Sequence, residues 1–305
     1  MKHYIKGRFG GILDSSKEVN LWHIFRWKVL HAPWQTIKHP ETIPLKVNRE
    51  ADKLTQTEDF ICWLSHASFL IQLGGKRILI DPVFGNIPFY KRQIDFPYGV
   101  EELGNVDYLL ISHAHYDHFD KPSIQAIASK SPKAIIPLKM STLVHKIAPQ
   151  ISTQELDWYQ DFEIDDLTIT LVPARHWSRR GVLDTNRILW GGYIIRYKDK
   201  TIYFAGDTAS GTHFTEIGQR YDIDFALLPI GAYKPDFIMK ANHLNPQEAY
   251  EAFKQLRAKK MVPMHHGTFK LSDEPLDEPL QWIQHIARKE NETFCLLSAG
   301  EVLRL

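Results

Sequence analysis

The sequence predicts an α/β fold in which two central sheets carry helices on their outer faces. Short runs of β-branched and aromatic residues recur from Phe60 to the C-terminus, and they predict strands. Segments with helical spacing of apolar residues lie between some of these runs. With 305 residues, of which 44% are hydrophobic, the chain is long enough to bury such a layered core.

The first predicted strands form an antiparallel meander. Residues 60–64, 68–73 and 77–80 have strand composition, and a Gly74-Gly75 turn joins the last two as a hairpin. Further strands are predicted at 134–136, 167–172, 190–195, 201–205, 225–228 and 294–297. Helices are predicted at 123–129, 246–258 and 280–289.

The N-terminal 57 residues differ in character from the remainder, and we predict that they form an extension to a main domain of residues 58–305. Residues 21–30 mix aromatic and basic side chains at near-helical spacing, and prolines then indicate an extended connector. This pattern is typical of a helix that packs on a sheet and also of one that lies on a membrane surface. Peripheral membrane contact through residues 19–34 therefore remains an open alternative.

Composition limits the classes of partner and compartment. The 37 basic and 36 acidic residues give a net charge of +1, so no nucleic-acid partner is expected. Cys62 and Cys295 lie far apart in apolar segments, which predicts buried free thiols and a reducing environment. Since neither a charged-then-apolar leader nor a run of ~20 apolar residues is found, we expect a cytoplasmic protein, at most peripheral to a membrane.

A dense group of metal-binding side chains follows the apolar run 106–111. His113, His115, Asp117 and His118 lie within six positions and would repel and desolvate one another without positive charge between them. A pair of divalent metal ions supplies that charge most simply. Residues two apart point the same way on an extended chain, so the first two imidazoles converge on one metal. The other two side chains lie where the chain turns toward a helix capped by Asp120, and they point toward a second metal.

Further candidate ligands follow other apolar strands. His176, Asp207, His265 and His266 each come directly after such a run, and they could complete the metals and bridge them. Imidazole and carboxylate ligands without a nearby thiolate favour Zn, with Mn, Fe or Ni as alternatives.

These motifs, in this order, resemble those of the metallo-β-lactamase superfamily. More narrowly, the chain resembles the phospholipases D that hydrolyse N-acyl-phosphatidylethanolamine. The resemblance covers roughly residues 58–305. Its longest motifs are the segments PARHWSRRG at 173–181, FAGDT at 204–208, LPIGAY at 228–233, NHLNP at 242–246 and HHGTF at 265–269.

The resemblance implies a four-layer αββα sandwich with two metals at the edge where the sheets meet. It places His265 rather than His266 on a metal, because the family has His-Trp-Gly where this chain has His265-His266-Gly267. The extra imidazole of His266 could replace His265 as the ligand or alter the pocket wall. A homodimer is common among such relatives. The implied ligands are His113, His115 and His176 for one metal, Asp117, His118 and His265 for the other, and Asp207 as the bridge.

The resemblance also implies a metal-dependent phosphodiesterase acting on N-acyl-phosphatidylethanolamine-like or other phosphodiesters. Asp117 would orient the attacking water, and His243 would stabilise or protonate the leaving oxygen. His66 would lie close to the metals. Arg179 and Arg180 could clamp a phosphate, or they could form a solvated turn.

Lipid specificity has weaker support than the metal site. After the Asp81-Pro82 turn, the family has a basic Pro-Lys-Arg block, whereas this chain has Phe89-Tyr90 in place of part of it. A lactonase or other ester hydrolase on the same site, and a non-catalytic metal-binding protein, therefore remain alternatives.

Overall fold

The computed structural model describes residues 3–10, 45–290 and 293–305. Two mixed sheets and their flanking helices make up the fold. In chain order, the strands are β1 Tyr4–Ile5, β2 Arg8–Phe9, β3 Phe60–Ser65, β4 Ser68–Leu73, β5 Lys76–Ile80, β6 Tyr108–Leu110, β7 Lys133–Pro137, β8 Ser152–Leu156, β9 Asp161–Ile164, β10 Leu167–Val172, β11 Gly192–Tyr197, β12 Lys200–Phe204, β13 Phe225–Pro229, β14 Lys260–Met264 and β15 Val302–Arg304.

The helices lie between and after these strands. They are α1 Ala51–Leu54, α2 Lys121–Ile127, α3 Ser141–Ile147, α4 His213–Arg220, α5 Asp236–Met239, α6 Pro246–Leu256 and α7 Glu278–Ala287, with short 3₁₀ turns at Glu101–Leu103 and Ala128–Lys130. Among the described residues, none of the helices combines the length and the hydropathy that a bilayer span requires.

Both sheets combine antiparallel and parallel pairs. The first has the order β15-β3-β4-β5-β6-β7-β8 and is parallel from β5 onward. The second has the order β14-β13-β12-β11-β10-β9 and is parallel from β12 to β14. The predicted antiparallel meander is confirmed, since β3 pairs with β4 and β4 with β5.

Alternate side chains of β3 enter two different cores, which explains why the whole strand is buried. Ile61 and Trp63 belong to the core between the sheets, together with Tyr193 of the second sheet. Phe60 and Cys62 belong to the core under α2 and α3. A strand buried on both faces requires a layer on each side. On the second sheet, α6 packs against β13, so helices cover both sheets and the four-layer αββα sandwich is confirmed.

The start of α2 fixes the chain that follows the histidine-rich motif. Asp120 caps the helix as predicted, since its Oδ2 accepts hydrogen bonds from the Ser123 amide at 3.0 Å and the Ser123 hydroxyl at 2.6 Å. Pro122 occupies the first turn, where its missing N–H is not needed. The motif thus ends at a rigid helix terminus.

The N-terminus of α6 has a complete capping box. Asn245 Oδ1 accepts from the Glu248 amide at 2.9 Å, and Glu248 Oε2 accepts from the Asn245 amide at 3.1 Å. We expect Asn245→Ala to lower the free energy of unfolding by about 1 kcal/mol, because the Glu248 amide loses its partner. Urea unfolding measures the difference. Gln247→Ala, on the exposed side of the same turn, is the matched control, and an equal loss there would contradict the capping role.

The predicted strand at 294–297 is wrong. In this segment only Phe294 forms a bridge, with Met261 of β14. The Met261 amide donates to Thr293 O at 2.7 Å, and the Cys295 amide donates to Met261 O at 2.8 Å. The next bond of a parallel ladder would need an N–H from Pro263, which has none. Pairing therefore ends after one bridge.

Both cysteines are free thiols, as predicted. Cys62 is buried, whereas Cys295 is only partly buried.

The predicted helix at 21–30 lies outside the described residues. The boundary at residue 57 stays a prediction. In the described part of the extension, Val47 forms a bridge with Ala299, and Leu54 is fully buried against the core.

Candidate metal centre

The candidate ligands come together because the strands that precede them end at one edge of the sandwich. In the first sheet, β5 and β6 are parallel and lead to Asp81 and to the segment 112–118. In the second, β10, β12 and β14 run in one direction. They lead to His176, Asp207 and His265, so residues far apart in sequence meet at this edge.

Three imidazoles form the first group. His113 Nε2 lies 2.8 Å from His115 Nδ1, and His176 Nε2 lies 3.2 Å from the same atom. One nitrogen of each ring is within 4.8 Å of the others, a spacing that can hold a metal ion. These are the three residues that the resemblance implied for one metal.

The second group is built around Asp117. Its Oδ2 lies 3.5 Å from His265 Nε2, 3.6 Å from His118 Nε2 and 3.1 Å from His66 Nε2. The structure therefore places His66 within the second group, beside Asp117, His118 and His265. His266 instead stacks on Trp63, with ring centroids 4.9 Å apart.

Asp207 lies between the two groups. Its Oδ1 is 3.2 Å from both His118 Nε2 and His265 Nε2. Its Oδ2 is 4.0 Å from His113 Nε2 and 3.8 Å from His176 Nε2. The two oxygens of one carboxylate thus face different groups, as a bridging ligand requires.

Several buried polar atoms at the centre have the character of metal ligands. His118 Nε2, His265 Nε2 and Asp207 Oδ1 are buried and face one another at 3.2 Å, but within the described ranges none of them makes a hydrogen bond of regular geometry. Buried polar atoms of a folded protein are nearly always paired, so a convergent set of such atoms favours an additional ligand. Imidazole and carboxylate donors suit borderline divalent ions. The residues present therefore fit a binuclear metal site.

Burial and mutual repulsion keep most of these imidazoles neutral. Burial, with neighbouring histidines, holds the pKa of His113 well below its usual value. Burial also lowers the pKa of His115 to about 4, and the same effect lowers that of His66 to about 3. Neutral rings have a free lone pair for a metal. His118 and His265 differ, because the carboxylates of Asp207 and Asp117 outweigh burial and raise the pKa of both rings, so each would lose a proton when an ion binds.

The carboxylates stay ionised although burial favours the protonated form. Burial raises the pKa of Asp207, but the positive charges of His118 and His265 outweigh it and hold the pKa well below its usual range. Burial likewise raises the pKa of Asp117, and His118 with its hydrogen-bonded neighbours lowers it well below the usual range. Both side chains can therefore act as anionic ligands.

Asp81 is a site residue that the sequence reasoning missed. It is fully buried, and its Oδ2 lies 2.7 Å from His118 Nδ1. The Ser112 amide and hydroxyl donate to the same carboxylate at 2.7 and 2.5 Å. This contact fixes the ring of His118 with Nε2 toward the centre. The available signal was a polar residue directly after strand 77–80, which the sequence analysis interpreted only as part of a turn.

His243 and Arg179 lie at the exposed side of the centre. His243 Nδ1 is 3.8 Å from Asp207 Oδ2, and its ring centroid is 5.3 Å from that of His176. The guanidinium carbon of Arg179 lies 5.2 Å from the ring centroid of Trp177. The ring centroids of Trp177 and His115 are 4.5 Å apart. Both side chains therefore border the first group.

Arg180 binds the backbone of the metal-binding segment. Its Nη1 donates to Phe119 O at 2.6 Å and to Ala114 O at 3.3 Å. Its guanidinium lies 3.8 Å above the ring of Tyr116. These contacts direct part of the Arg180 guanidinium toward the protein. Its role in clamping a phosphate stays a prediction.

We expect Arg180→Gln to lower the free energy of unfolding by about 1 to 3 kcal/mol, because two carbonyls lose a charged donor. Metal affinity should fall with it, since those carbonyls flank the ligands. Calorimetry and metal titration measure both quantities. Arg179→Gln is the matched control. Unchanged stability and metal binding with a raised KM for phosphodiesters would instead support a phosphate clamp.

Comparison with known proteins identifies the family. The family model described as the beta-lactamase superfamily domain matches residues 76–266, which is more than half of the chain. The chain belongs to the metallo-β-lactamase superfamily. It is 30% identical over 284 residues to N-acyl-phosphatidylethanolamine-hydrolyzing phospholipase D 1 of Caenorhabditis elegans, covering 86% of this chain and 80% of that protein. The resemblance stated from the motifs is thus confirmed.

A second relative supports the hydrolytic class. The chain is 31% identical over 250 residues to a metal-dependent hydrolase of Pyrobaculum aerophilum, covering 80% of this chain and 99% of that one. Together with its clusters of histidine and aspartate, this makes the chain a metal-dependent hydrolase of the superfamily. A solved metallo hydrolase of Ignicoccus hospitalis superposes with a TM-score of 0.62 at 24% identity, covering 82% of this chain and 99% of that one, and confirms the fold.

Proposed function

We propose that this superfamily member is a binuclear metal-dependent phosphodiesterase of phospholipase D type, with N-acyl-phosphatidylethanolamine-like phosphodiesters as its substrate class. The supporting observations are the similarity to the Caenorhabditis elegans phospholipase, which extends over 86% of the chain, and the two groups of histidine and aspartate side chains at the centre. Phospholipase D activity means that the phosphorus–oxygen bond on the head-group side is broken, which releases an alcohol and leaves a phosphate monoester.

The chain's own side chains would hold the metals. His113, His115 and His176 would hold one ion, Asp117, His118 and His265 would hold the other, and Asp207, which faces both groups, would contribute to both. When bound, two divalent ions, with zinc the first choice, lower the pKa of a water molecule and stabilise negative charge on the phosphoryl oxygens.

The remaining polar side chains orient the reacting groups. Asp117 is ionised and can accept the proton of the attacking water, and His66 holds its Oδ2 at 3.1 Å. Burial lowers the pKa of His243 to about 4, so its ring is neutral near pH 7 and retains one N–H. That N–H is placed to donate a hydrogen bond to the leaving oxygen as the bond to phosphorus breaks.

The test is an ester-class screen of the protein loaded with Zn or Mn. We expect turnover of bis(p-nitrophenyl) phosphate and of an N-acyl phospholipid, with lactones turned over more slowly. Preference for lactones would replace the proposal with a lactonase. A metal-loaded protein inert toward every ester class would instead support a non-catalytic metal-binding role. Elemental analysis of the purified protein identifies the metal that it binds.

A further inference from the structure

A cavity of about 370 Å³ lies away from the metal centre, beside the N-terminal hairpin β1–β2. Four of its six lining residues are cationic, namely Lys6, Arg8, Lys139 and Arg187. Within residues 3–10, 45–290 and 293–305, no ion pair joins these four side chains to a carboxylate. Because the whole chain has a net charge of only +1, the cavity concentrates positive charge locally.

Two exposed aliphatic side chains lie on a loop that Arg8 of this cavity binds. Val182 is 89% exposed and Leu183 is 76% exposed. Arg8 links them to the cationic cavity, because its Nη2 lies 3.5 Å from Leu183 O and its Nη1 donates to Thr185 O at 2.6 Å. We call the four cations together with Val182 and Leu183 the basic-aliphatic patch.

The loop that carries the aliphatic pair begins next to the metal centre. Ser178 follows directly after Trp177, whose ring contacts His115 at 4.5 Å. The Ser178 and Asn186 backbones are joined by an amide-to-carbonyl bond of 2.6 Å, which closes the base of the loop. The hairpin holds its far end, since the Phe9 amide donates to Asn186 O at 2.7 Å. The loop thus connects the centre with the patch.

We propose that the basic-aliphatic patch docks this protein onto the surface of an anionic lipid bilayer. Exposed aliphatic side chains enter the interfacial region of a bilayer, and adjacent cations bind the phosphate and carboxylate groups of its lipids. A soluble anion would use the cavity but would leave Val182 and Leu183 exposed to water. The bilayer is the partner that satisfies both halves of the patch, so the aliphatic pair decides between the two.

Docking is independent of which ester the metal centre hydrolyses. It differs from the expectation for residues 19–34, because every residue of the patch is described by the structure and none belongs to that segment. It gives the hydrolase a fixed orientation at the membrane, with the loop 178–187 leading from the bilayer toward the first group of histidines.

The experiment is sedimentation of the full chain with phosphatidylcholine vesicles that contain or lack phosphatidylserine. We expect binding to the anionic vesicles that weakens with added salt, because the Debye length falls below ~10 Å above 0.1 M salt. The variant Lys6→Gln/Lys139→Gln/Arg187→Gln should bind about tenfold or more weakly. Val182→Ser/Leu183→Ser should bind several-fold more weakly. Arg8 is retained because it holds the carbonyls of the loop.

The matched control removes three positive charges from the opposite edge of the sandwich. Lys254 lies on α6, and Lys259 and Lys260 lie at the start of β14, whereas His3 of the hairpin contacts Asp157 between β8 and β9. The control variant Lys254→Gln/Lys259→Gln/Lys260→Gln should retain most of the vesicle binding. An equal loss in this variant would overturn the proposal.

Three other results would also overturn it. These are equal binding to neutral and anionic vesicles, unchanged binding of both patch variants, and patch-dependent binding of inositol hexakisphosphate without any vesicle binding. Turnover of bis(p-nitrophenyl) phosphate by the same variants should remain at the wild-type rate. Vesicle binding by a protein inert toward phosphodiesters would refute the proposed function and leave the docking surface supported.

Discussion

Asp207→Asn is expected to lower kcat/KM for phosphodiesters by about 10³-fold or more and to reduce the bound metal below two ions per chain. The substitution preserves the shape of the side chain but removes the negative charge that faces both groups, at 3.2 Å from His118 and His265 and at 3.8 to 4.0 Å from His176 and His113. Elemental analysis and steady-state kinetics measure the two effects.

The control for this variant is Asp224→Asn. Asp224 is an aspartate directly before β13 of the second sheet. Its carboxylate accepts a hydrogen bond from the Thr201 amide at 2.8 Å and forms an ion pair with Lys259 at 2.7 Å. Its replacement should leave metal content and turnover unchanged. If Asp207→Asn keeps two metals per chain and loses only turnover, Asp207 acts in the reaction but does not bridge the metals.

Asp81→Asn is expected to weaken metal binding by about 10- to 100-fold, although Asp81 lies behind the ligands. The carboxylate accepts from the Ser112 amide and hydroxyl and contacts His118 Nδ1 at 2.7 Å, so it sets which nitrogen of His118 faces the centre. An amide in its place weakens this contact and leaves the ring freer to turn. Competition with a chromophoric chelator measures the affinity.

Asp161→Asn provides the comparison, because Asp161 accepts the Thr170 hydroxyl at 2.5 Å but lies on β9, away from the metal centre. Asp161→Asn should lower the free energy of unfolding through the loss of this hydrogen bond and leave the metal centre unchanged. Only Asp81→Asn should change metal affinity. Equal metal affinities in the two variants would show that Asp81 supports the fold without positioning His118.

Elements bounded by local signals were predicted most accurately. The strands predicted at 68–73 and 167–172 have the same bounds in the structure as β4 and β10. The helix predicted at 280–289 begins at Glu278 and ends at Ala287. Its start lies before the predicted one because Pro279 occupies the first turn, which the apolar periodicity does not mark. Helices α3 and α4 and strands β8 and β9 were not predicted, since these elements are short and carry few apolar residues.

The site was predictable as far as its residues are close in sequence or follow apolar strands. The ligands at 113–118 form one motif, and the later candidates each end a strand, so chemistry and periodicity were sufficient to find them. The role of Asp81 depends on the parallel pairing of β5 with β6, which places it against His118 across 37 positions. Such a contact has no local pattern, and only the folded chain reveals it.

Pro263 has a consequence for the behaviour of the protein at high concentration. Its missing N–H faces the outer edge of β14, which is the edge strand of the second sheet. An exposed edge with a complete row of donors and acceptors invites strand pairing between molecules, and proline interrupts that row. The residue that ends the pairing with Phe294 thus also protects the sheet that carries Asp207 and His265 from intermolecular aggregation.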